Sequence, residues 1–173
     1  MRKLSLIGLI ILIIGLSIYA LSSLGFQNNA YRVTQYEFVE DVNGEYTFHA
    51  ISAPNLTSHF NPSQHHTTAL GITHSGYWFR FTVPVQETYQ LLQMNNVNIN
   101  NIDVYIPTAN GYVHKAGGVR SALPREILDT TWVFSLTEQY QQNEYLYFRL
   151  ESTSALRLGV SLWPTNAFIS EDF

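Results

Sequence analysis

The sequence predicts an all-β fold, an antiparallel β-sandwich or barrel, preceded by an apolar N-terminal export helix. Aromatic residues make up 14% of the chain, including 11 Tyr and 10 Phe, and these residues favour strands. From Tyr31 onward, short apolar segments alternate with turn residues, and no long helical period stands out. Charged residues make up only 13%, about half the share usual in soluble domains. This composition excludes a disordered chain and argues against a coiled coil.

The N-terminal segment predicts export from the cytoplasm. Arg2 and Lys3 are followed by residues 4–24, which carry no charge and are long enough to span a bilayer core. Two interpretations fit this pattern. A signal peptide is cleaved after Ser22 or Gly25, or an uncleaved anchor keeps its basic end in the cytoplasm.

The expected organisation has three parts. Residues 1–25 are a signal peptide or signal anchor, residues 26–168 an extracytoplasmic β-sandwich, and residues 169–173 a tail or the start of a linker. The exported domain is then expected in the periplasm, or on the extracytoplasmic face of a bacterial inner membrane.

The strands are predicted in order from the turn signals between them. The Asn43-Gly44 pair predicts a hairpin, and Asn110-Gly111 predicts another turn. Residues 52–76 form a long irregular connection with one strand-like turn near 70–72. We expect strands over residues 31–42, 45–51, 77–85, 88–95, 99–106, 112–116, 130–136, 144–151 and 155–163.

Period-two alternation in these segments predicts which side chains form the core. Each strand has an aliphatic or Phe face suited to packing between two sheets, and a second face that mixes aromatic and charged residues. The expected core residues are Phe79, Phe81, Leu146, Phe148, Leu150, Leu158 and Val160.

The mixed faces supply the candidate ligand-binding residues. Aromatic rings pack against the C–H faces of sugars, while Arg, Asp and Glu hydrogen-bond to hydroxyl groups. The alternative is structural, because the arginines can pair with carboxylates on neighbouring strands and the rings can pack in the core. The candidates are Trp78, Arg80, Asp103, Tyr105, Tyr147, Arg149 and Glu151.

Several other chemistries are not supported by the sequence. The absence of Cys excludes disulfides and thiolate sites, and no G-x-S-x-G elbow indicates a serine hydrolase. The histidines of residues 52–76 match no metal-ligand spacing, so neither metal nor cofactor is expected.

Removing Arg2 and Lys3 leaves seven basic residues against 13 acidic ones, a net charge of −6. This acidic balance argues against a nucleic-acid partner. Because no catalytic motif is present, we also do not expect an enzyme.

Four segments, in this order and spacing, carry a resemblance to a known family. They are LGITHSGYWFRFTV (residues 70–83), NNVNINNIDVYIPTANGYVHKAGG (95–118), WVFSL (132–136) and YLYFRLESTSALRLGVSLWPTNAF (145–168). The chain resembles the second type of extracellular domain of bacterial 7TMR-DISM receptors, seven-transmembrane receptors with diverse intracellular signalling modules.

The resemblance implies a jelly-roll sandwich similar to carbohydrate-binding modules, placed before seven membrane helices and a cytoplasmic signalling module. It implies a sensor whose partner is a carbohydrate or another small solute, with a membrane contact through residues 1–25 if these are uncleaved. The sequence departs from the family pattern by ending at Phe173, so it is a sensor fragment or a stand-alone exported domain. The alternative function is an envelope protein-interaction or structural sandwich that needs no small ligand.

The export segment gives the first testable prediction. Fusing residues 1–30 to a reporter that is active only outside the inner membrane should give an active reporter. The control fusion replaces Leu12 and Ile13 with Asp, which interrupts the apolar run. An inactive, cytoplasmic parent fusion would contradict the predicted localisation.

Overall fold

The computed structural model describes residues 30–63, 68–84, 89–136 and 140–171. The predicted export segment, residues 1–25, lies outside these ranges. Within them, no helix has the length and apolar character needed to cross a membrane.

Short strands account for most of the regular structure. The strands are β1 (Tyr31–Arg32), β2 (Glu37–Asp41), β3 (Asn61–Pro62), β4 (Thr68–Gly71), β5 (Gly76–Thr82), β6 (Leu91–Met94), β7 (Asn101–Thr108), β8 (Gly111–Gly117), β9 (Trp132–Ser135), β10 (Tyr145–Glu151), β11 (Leu156–Leu158) and β12 (Val160–Trp163). The helices are α1 (Phe48–Ile51), a 3-10 helix (Pro54–His59) and α2 (Thr165–Glu171).

These strands form antiparallel sheets that pack as a sandwich, which confirms the predicted fold class. A six-stranded sheet has the order β3-β2-β5-β10-β7-β8, and a four-stranded sheet has the order β1-β12-β6-β9. A small sheet pairs β11 with β4. Side chains from both larger sheets share one apolar core.

The register of β5 against β10 fixes the centre of this core. Phe79 lies opposite Phe148, and their rings stack with centroids 4.8 Å apart. Both side chains are fully buried, and every residue of the predicted core is buried with them. The alternation in the sequence therefore identified the core face correctly.

The predicted strand over residues 45–51 is wrong, because its second half is helix α1. The Thr47 hydroxyl caps this helix by accepting a hydrogen bond from the Ala50 amide. The Asp41 carboxylate accepts hydrogen bonds from the amides of Glu45 and Tyr46, so these amides are not available to a strand partner. Period-two alternation was present, but local side-chain acceptors gave the backbone a different partner.

Two other predicted strands are divided between sheets. Residues 31–42 supply β1 to the four-stranded sheet and β2 to the six-stranded sheet. Residues 155–163 are interrupted at Gly159, whose carbonyl accepts a hydrogen bond from the Asn95 amide. A Cβ at Gly159 would lie 3.1 Å from the Asn95 side chain, so a small residue suits this crossing point.

The segment between β2 and β3 covers the face of the six-stranded sheet that points away from the shared core. We call residues 44–60 the cap. Ile51 and Phe60 of the cap are buried against Val39, Trp78 and Tyr147 of the sheet. The six-stranded sheet is therefore packed on both faces.

The stacked pair at the centre gives the second prediction. Phe148→Ala should lower the free energy of unfolding by about 3–5 kcal/mol, because it removes a fully buried ring and leaves a cavity. Urea denaturation followed by tryptophan fluorescence measures the change. The exposed Val42→Ala is the control and should change stability by no more than about 0.5 kcal/mol. A loss below about 1 kcal/mol for Phe148→Ala would show that this site is not close-packed.

Candidate functional site on the outer face of the six-stranded sheet

The structure brings all seven predicted ligand-binding residues onto one face. They lie on the neighbouring strands β5, β10 and β7, and the register places them in adjacent cross-strand rows. The rows are Arg80, Tyr147 and Tyr105; then Trp78, Arg149 and Asp103; and then Glu151. This outer face is the one that the cap covers.

Arg80 is enclosed at one side of the cap. Its guanidinium lies between two rings, with Cζ 4.0 Å from the centroid of Phe60 and 4.5 Å from that of Tyr145. Its Nε donates to Glu37 Oε2 at 2.5 Å, and its Nη2 donates to the Thr57 carbonyl at 3.4 Å. Because Arg80 is only 3% exposed, these partners replace water around a full positive charge.

Arg149 lies between two carboxylates at the other side of the cap. Nη1 is 2.6 Å from Glu151 Oε1, and Nη2 is 3.6 Å from Oδ2 of Asp41, which is 3% exposed. A Cβ at Gly76 would lie 2.7 Å from Nη2, so the guanidinium occupies the space that this glycine leaves. Arg149 thus has two carboxylate partners within the protein, which favours a structural role for it.

The two predicted carboxylates have different partners. Burial alone would raise the pKa of Glu151, but hydrogen bonds from Asn101 and Arg149, with the charges of Arg149 and Arg120, hold it below its usual value. Asp103 instead lies 2.8 Å from Nε2 of the exposed His114. Glu151 therefore forms a charged group with Arg149 and Asp41, which we call the arginine cluster. Asp103 instead faces the β8 edge.

Aromatic side chains of the sheet, including Tyr105 and Tyr147 of the predicted set, surround a ring that the cap provides. Phe48 stacks on Tyr105 with centroids 4.0 Å apart and an interplanar angle of 4°. It meets Tyr112 and Tyr147 edge-on at 4.8 Å and 5.7 Å. The hydroxyls of all three tyrosines are neutral at pH 7, as is usual for tyrosine, and burial raises their pKa further, that of Tyr112 to about 12. The centre of the outer face is thus neutral and aromatic, and charges lie at its ends.

An open cleft adjoins the Arg80 end of this face. Its volume is about 430 Å³, and Arg80 and Tyr145 belong to its walls. Its other described lining residues are Gln35, Tyr36, Glu37, Pro62, Ser63, Phe81 and Thr82. Of the seven predicted residues, Arg80 is the one that lines this cleft.

Sequence reasoning missed the residues that complete these clusters. Glu37 and Asp41 lie on β2, whose alternation is visible in the sequence. Only the folded structure shows that Glu37 lies opposite Arg80 and that Asp41 reaches Arg149. Phe48 was assigned to a strand, and nothing in its local pattern indicates that it reaches Tyr105. Only the alternation of Tyr112 and His114 along β8 could have marked them as neighbours of β7.

The histidines do not assemble a metal site in the part of the chain that the structure describes. No group of three or more His, Cys, Asp or Glu residues there is placed to hold a metal ion. His65 and His66 lie outside the described residues.

Comparison with known families decides what kind of domain this is. The profile of the 7TMR-DISM extracellular 2 domain matches residues 34–164, which is most of the chain. The chain belongs to the 7TMR-DISM extracellular 2 family. A search of curated proteins finds no match.

Family membership gives the chain its broad role. A 7TMR-DISM extracellular 2 domain is the extracellular sensor part of a membrane receptor, so the chain has an extracytoplasmic sensing role in a receptor with a transmembrane region and an intracellular module. The family is one of sensor domains and is not a known enzyme family. The matched range includes the cap, the seven candidate residues and the cleft.

The arginine cluster gives the third prediction. Arg149→Gln should lower the free energy of unfolding at pH 7 by about 1–3 kcal/mol, because Asp41 and Glu151 lose a charged donor. Urea denaturation measures this loss, and Arg157→Gln, at an exposed arginine, should change stability by less than about 0.5 kcal/mol.

The pH dependence of the same variant tests the cause of the loss. Because the pKa of Glu151 is lowered in the folded state, its contribution is present above the ordinary value of 4.5 and is lost as the pH falls through the folded value. The difference in unfolding free energy between parent and Arg149→Gln should therefore shrink on acidification below about pH 4.5. A difference that stays constant down to pH 3 would contradict the carboxylate pairing.

Proposed function

We propose that the domain senses a small polar solute in the periplasm, with a carbohydrate as the class that fits best. The observation that carries this proposal is the cleft beside Arg80, where a buried guanidinium, a half-exposed carboxylate and an aromatic ring meet. The domain then passes occupancy of this face to the membrane region and the cytoplasmic signalling module of its receptor.

The chemistry of the cleft suits a sugar. Tyr145 is 36% exposed and offers ring surface for C–H groups, while Glu37 retains acceptor capacity beyond its bond to Arg80. Arg80 is already held in place between two rings, so it loses little side-chain entropy when a hydroxyl binds. The volume of about 430 Å³ is within the range of small-molecule sites.

The residues predicted from the sequence have different roles in this proposal. Arg80 contacts the solute from the cleft wall. Tyr147 and Trp78 lie under the cap and support the wall, and Arg149 with Glu151 anchors the opposite end of the cap. Residues 1–25 place the domain outside the cytoplasm, as a cleaved signal or as a membrane anchor.

A protein contact is a second candidate function, favoured by the loop from 118 to 131. Lys115 Nζ donates to Glu126 at 2.5 Å, and the Arg125 guanidinium lies 4.1 Å above the Trp132 ring, so the loop is fixed to the sandwich. Leu128 is nevertheless 91% exposed on this fixed loop. Leu128→Ser would weaken a protein contact made here and leave saccharide binding unchanged.

The fourth prediction tests the cleft. The full chain should show a saturable rise in melting temperature with at least one sugar from a panel of glucose, galactose, N-acetylglucosamine, maltose and cellobiose. Tyr145→Ala should weaken that sugar's binding at least tenfold by isothermal titration, about 1.4 kcal/mol, because it removes the exposed ring from the cleft. Tyr31→Ala is the matched control, since Tyr31 is also 36% exposed but lies on β1 of the other sheet.

Two outcomes would contradict the proposal. A panel in which no sugar stabilises the parent would remove carbohydrate as the ligand class. Equal loss of affinity in Tyr145→Ala and Tyr31→Ala would show that the cleft is not the binding site.

A further inference from the structure

The outer face contains an aromatic pocket that is already occupied by part of the chain. We define this pocket by the rings of Trp78, Tyr105, Tyr112 and Tyr147, which come from β5, β7, β8 and β10. The occupant is Phe48, which contacts all four rings and is carried by the cap rather than by the sheet. The sheet thus builds the pocket, and a separate segment fills it.

Two buried donors at or beside the pocket have no partner among the described residues. Trp78 is 1% exposed, and its indole N–H has no hydrogen-bond acceptor among the described residues. The Nε of Arg149, whose guanidinium carbon is 6.0 Å from the Trp78 ring centroid, also lacks one. Buried donors are nearly always paired, and a Phe side chain offers no acceptor to either group. Phe48 therefore packs against the rings of the pocket but provides no hydrogen-bond acceptor for the two donors.

The segment that carries Phe48 is a short element held to the sheet from outside. Ile51 is fully buried against Val39 and Trp78, and the Asp41 carboxylate accepts from the amides of Glu45 and Tyr46. Helix α1 is a single turn, and its N-cap bond from the Ala50 amide to Thr47 is 3.3 Å long. A helix this short is not stable in isolation, so its position depends on docking against the sheet. The chain enters it through Gly44, which has a positive φ of 68° and therefore favours glycine.

The far half of the cap is anchored independently. Phe60 is buried, and the Thr57 carbonyl accepts from Arg80. Strand β3 then returns the chain to the edge of β2. Release of residues 44–53 would therefore break the contacts of Ile51 and Asp41 but leave those of Thr57, Phe60 and β3 in place.

We infer that the aromatic pocket is a ligand site and that Phe48 is its internal competitor. A solute with a flat ring face and a hydrogen-bond acceptor displaces Phe48, stacks on Tyr105 and accepts from the Trp78 indole. Ligand binding is thereby coupled to release of α1 from the sheet. This inference rests on the proposed function, because it names the deep subsite of the same face, next to the cleft through the contact of Tyr145 with Tyr147.

The size of the competition can be measured with Phe48→Ala. When a binding-competent state is only a fraction of the population, the apparent Kd rises by the inverse of that fraction. Removing the competing ring should therefore tighten binding. Leu56→Ala is the matched control, because Leu56 is a half-buried cap residue that packs on the same cluster but lies in the 3-10 helix rather than in α1.

The fifth prediction uses the full chain in lipid nanodiscs, labelled with 5-fluorotryptophan. The three tryptophans give three fluorine environments, and Trp78→Phe assigns the Trp78 signal. The probes are methyl β-D-glucopyranoside and benzyl alcohol, which share a ring and an oxygen acceptor. At least one probe should shift the Trp78 signal in the parent and bind Phe48→Ala at least tenfold more tightly, with Leu56→Ala unchanged. That probe should also speed hydrogen exchange of residues 44–53 in the parent.

The two probes distinguish the ligand class and separate this inference from the proposed function. A response to the glucoside identifies a sugar ring, and a response to benzyl alcohol alone identifies an aromatic solute and contradicts the carbohydrate proposal only. Sugar binding that depends on Tyr145 but is unaffected by Phe48→Ala would overturn the present inference and leave the cleft intact.

Two further results would overturn it. Binding to Phe48→Ala with none to the parent would reveal only an adventitious cavity made by the substitution. A parent in which a probe binds without faster exchange of residues 44–53 would show that α1 is not displaced. If Phe48→Ala loses the native exchange protection of β10, Phe48→Leu replaces it, since it keeps apolar volume but removes the flat ring.

Discussion

The antiparallel register of β5 against β10 determines both faces of the six-stranded sheet. Pairing Phe79 with Phe148 directs these rings into the sandwich core and sends Trp78, Arg80 and Arg149 to the opposite side. Because side chains alternate with a period of two, a slip of one residue would exchange core and outer face along both strands. The stacked Phe pair makes such a slip costly, so core packing and the placement of the candidate site have a common cause.

The outer face of the six-stranded sheet carries both aromatic and charged residues. The rings need apolar packing, and the buried arginines need hydrogen-bond acceptors. The cap provides apolar contacts at the centre through Phe48 and Ile51, where the tyrosines and Trp78 lie. The charged ends are stabilised by carboxylates of β2, with Glu37 at Arg80 and Asp41 at Arg149. The same carboxylate of Asp41 binds the amides at the start of the cap, so it joins the arginine cluster to the cover.

The sequence was sufficient for the core and for the residue types of the site, and insufficient for their assembly. Alternation alone assigned Phe148 to the core and Arg149 to the other face, since period two does not depend on distant partners. It failed at residues 45–51, where the acceptors on Thr47 and Asp41 favour a helical turn over the strand that the pattern indicates. The contacts of Arg80 with Glu37 and Phe60 depend on strand order and on the path of the cap, which no local pattern contains.

We propose that the outer face of the six-stranded sheet recognises the solute that the receptor senses. A crystal structure of the protein with the solute that most raises its melting temperature tests this most directly. We expect density for that solute on this face, in contact with Arg80 or Tyr145 at the cleft, or with Tyr105 in the place of Phe48. Density on the four-stranded sheet or beside Leu128, with the outer face unchanged, would show that this face is not the binding site.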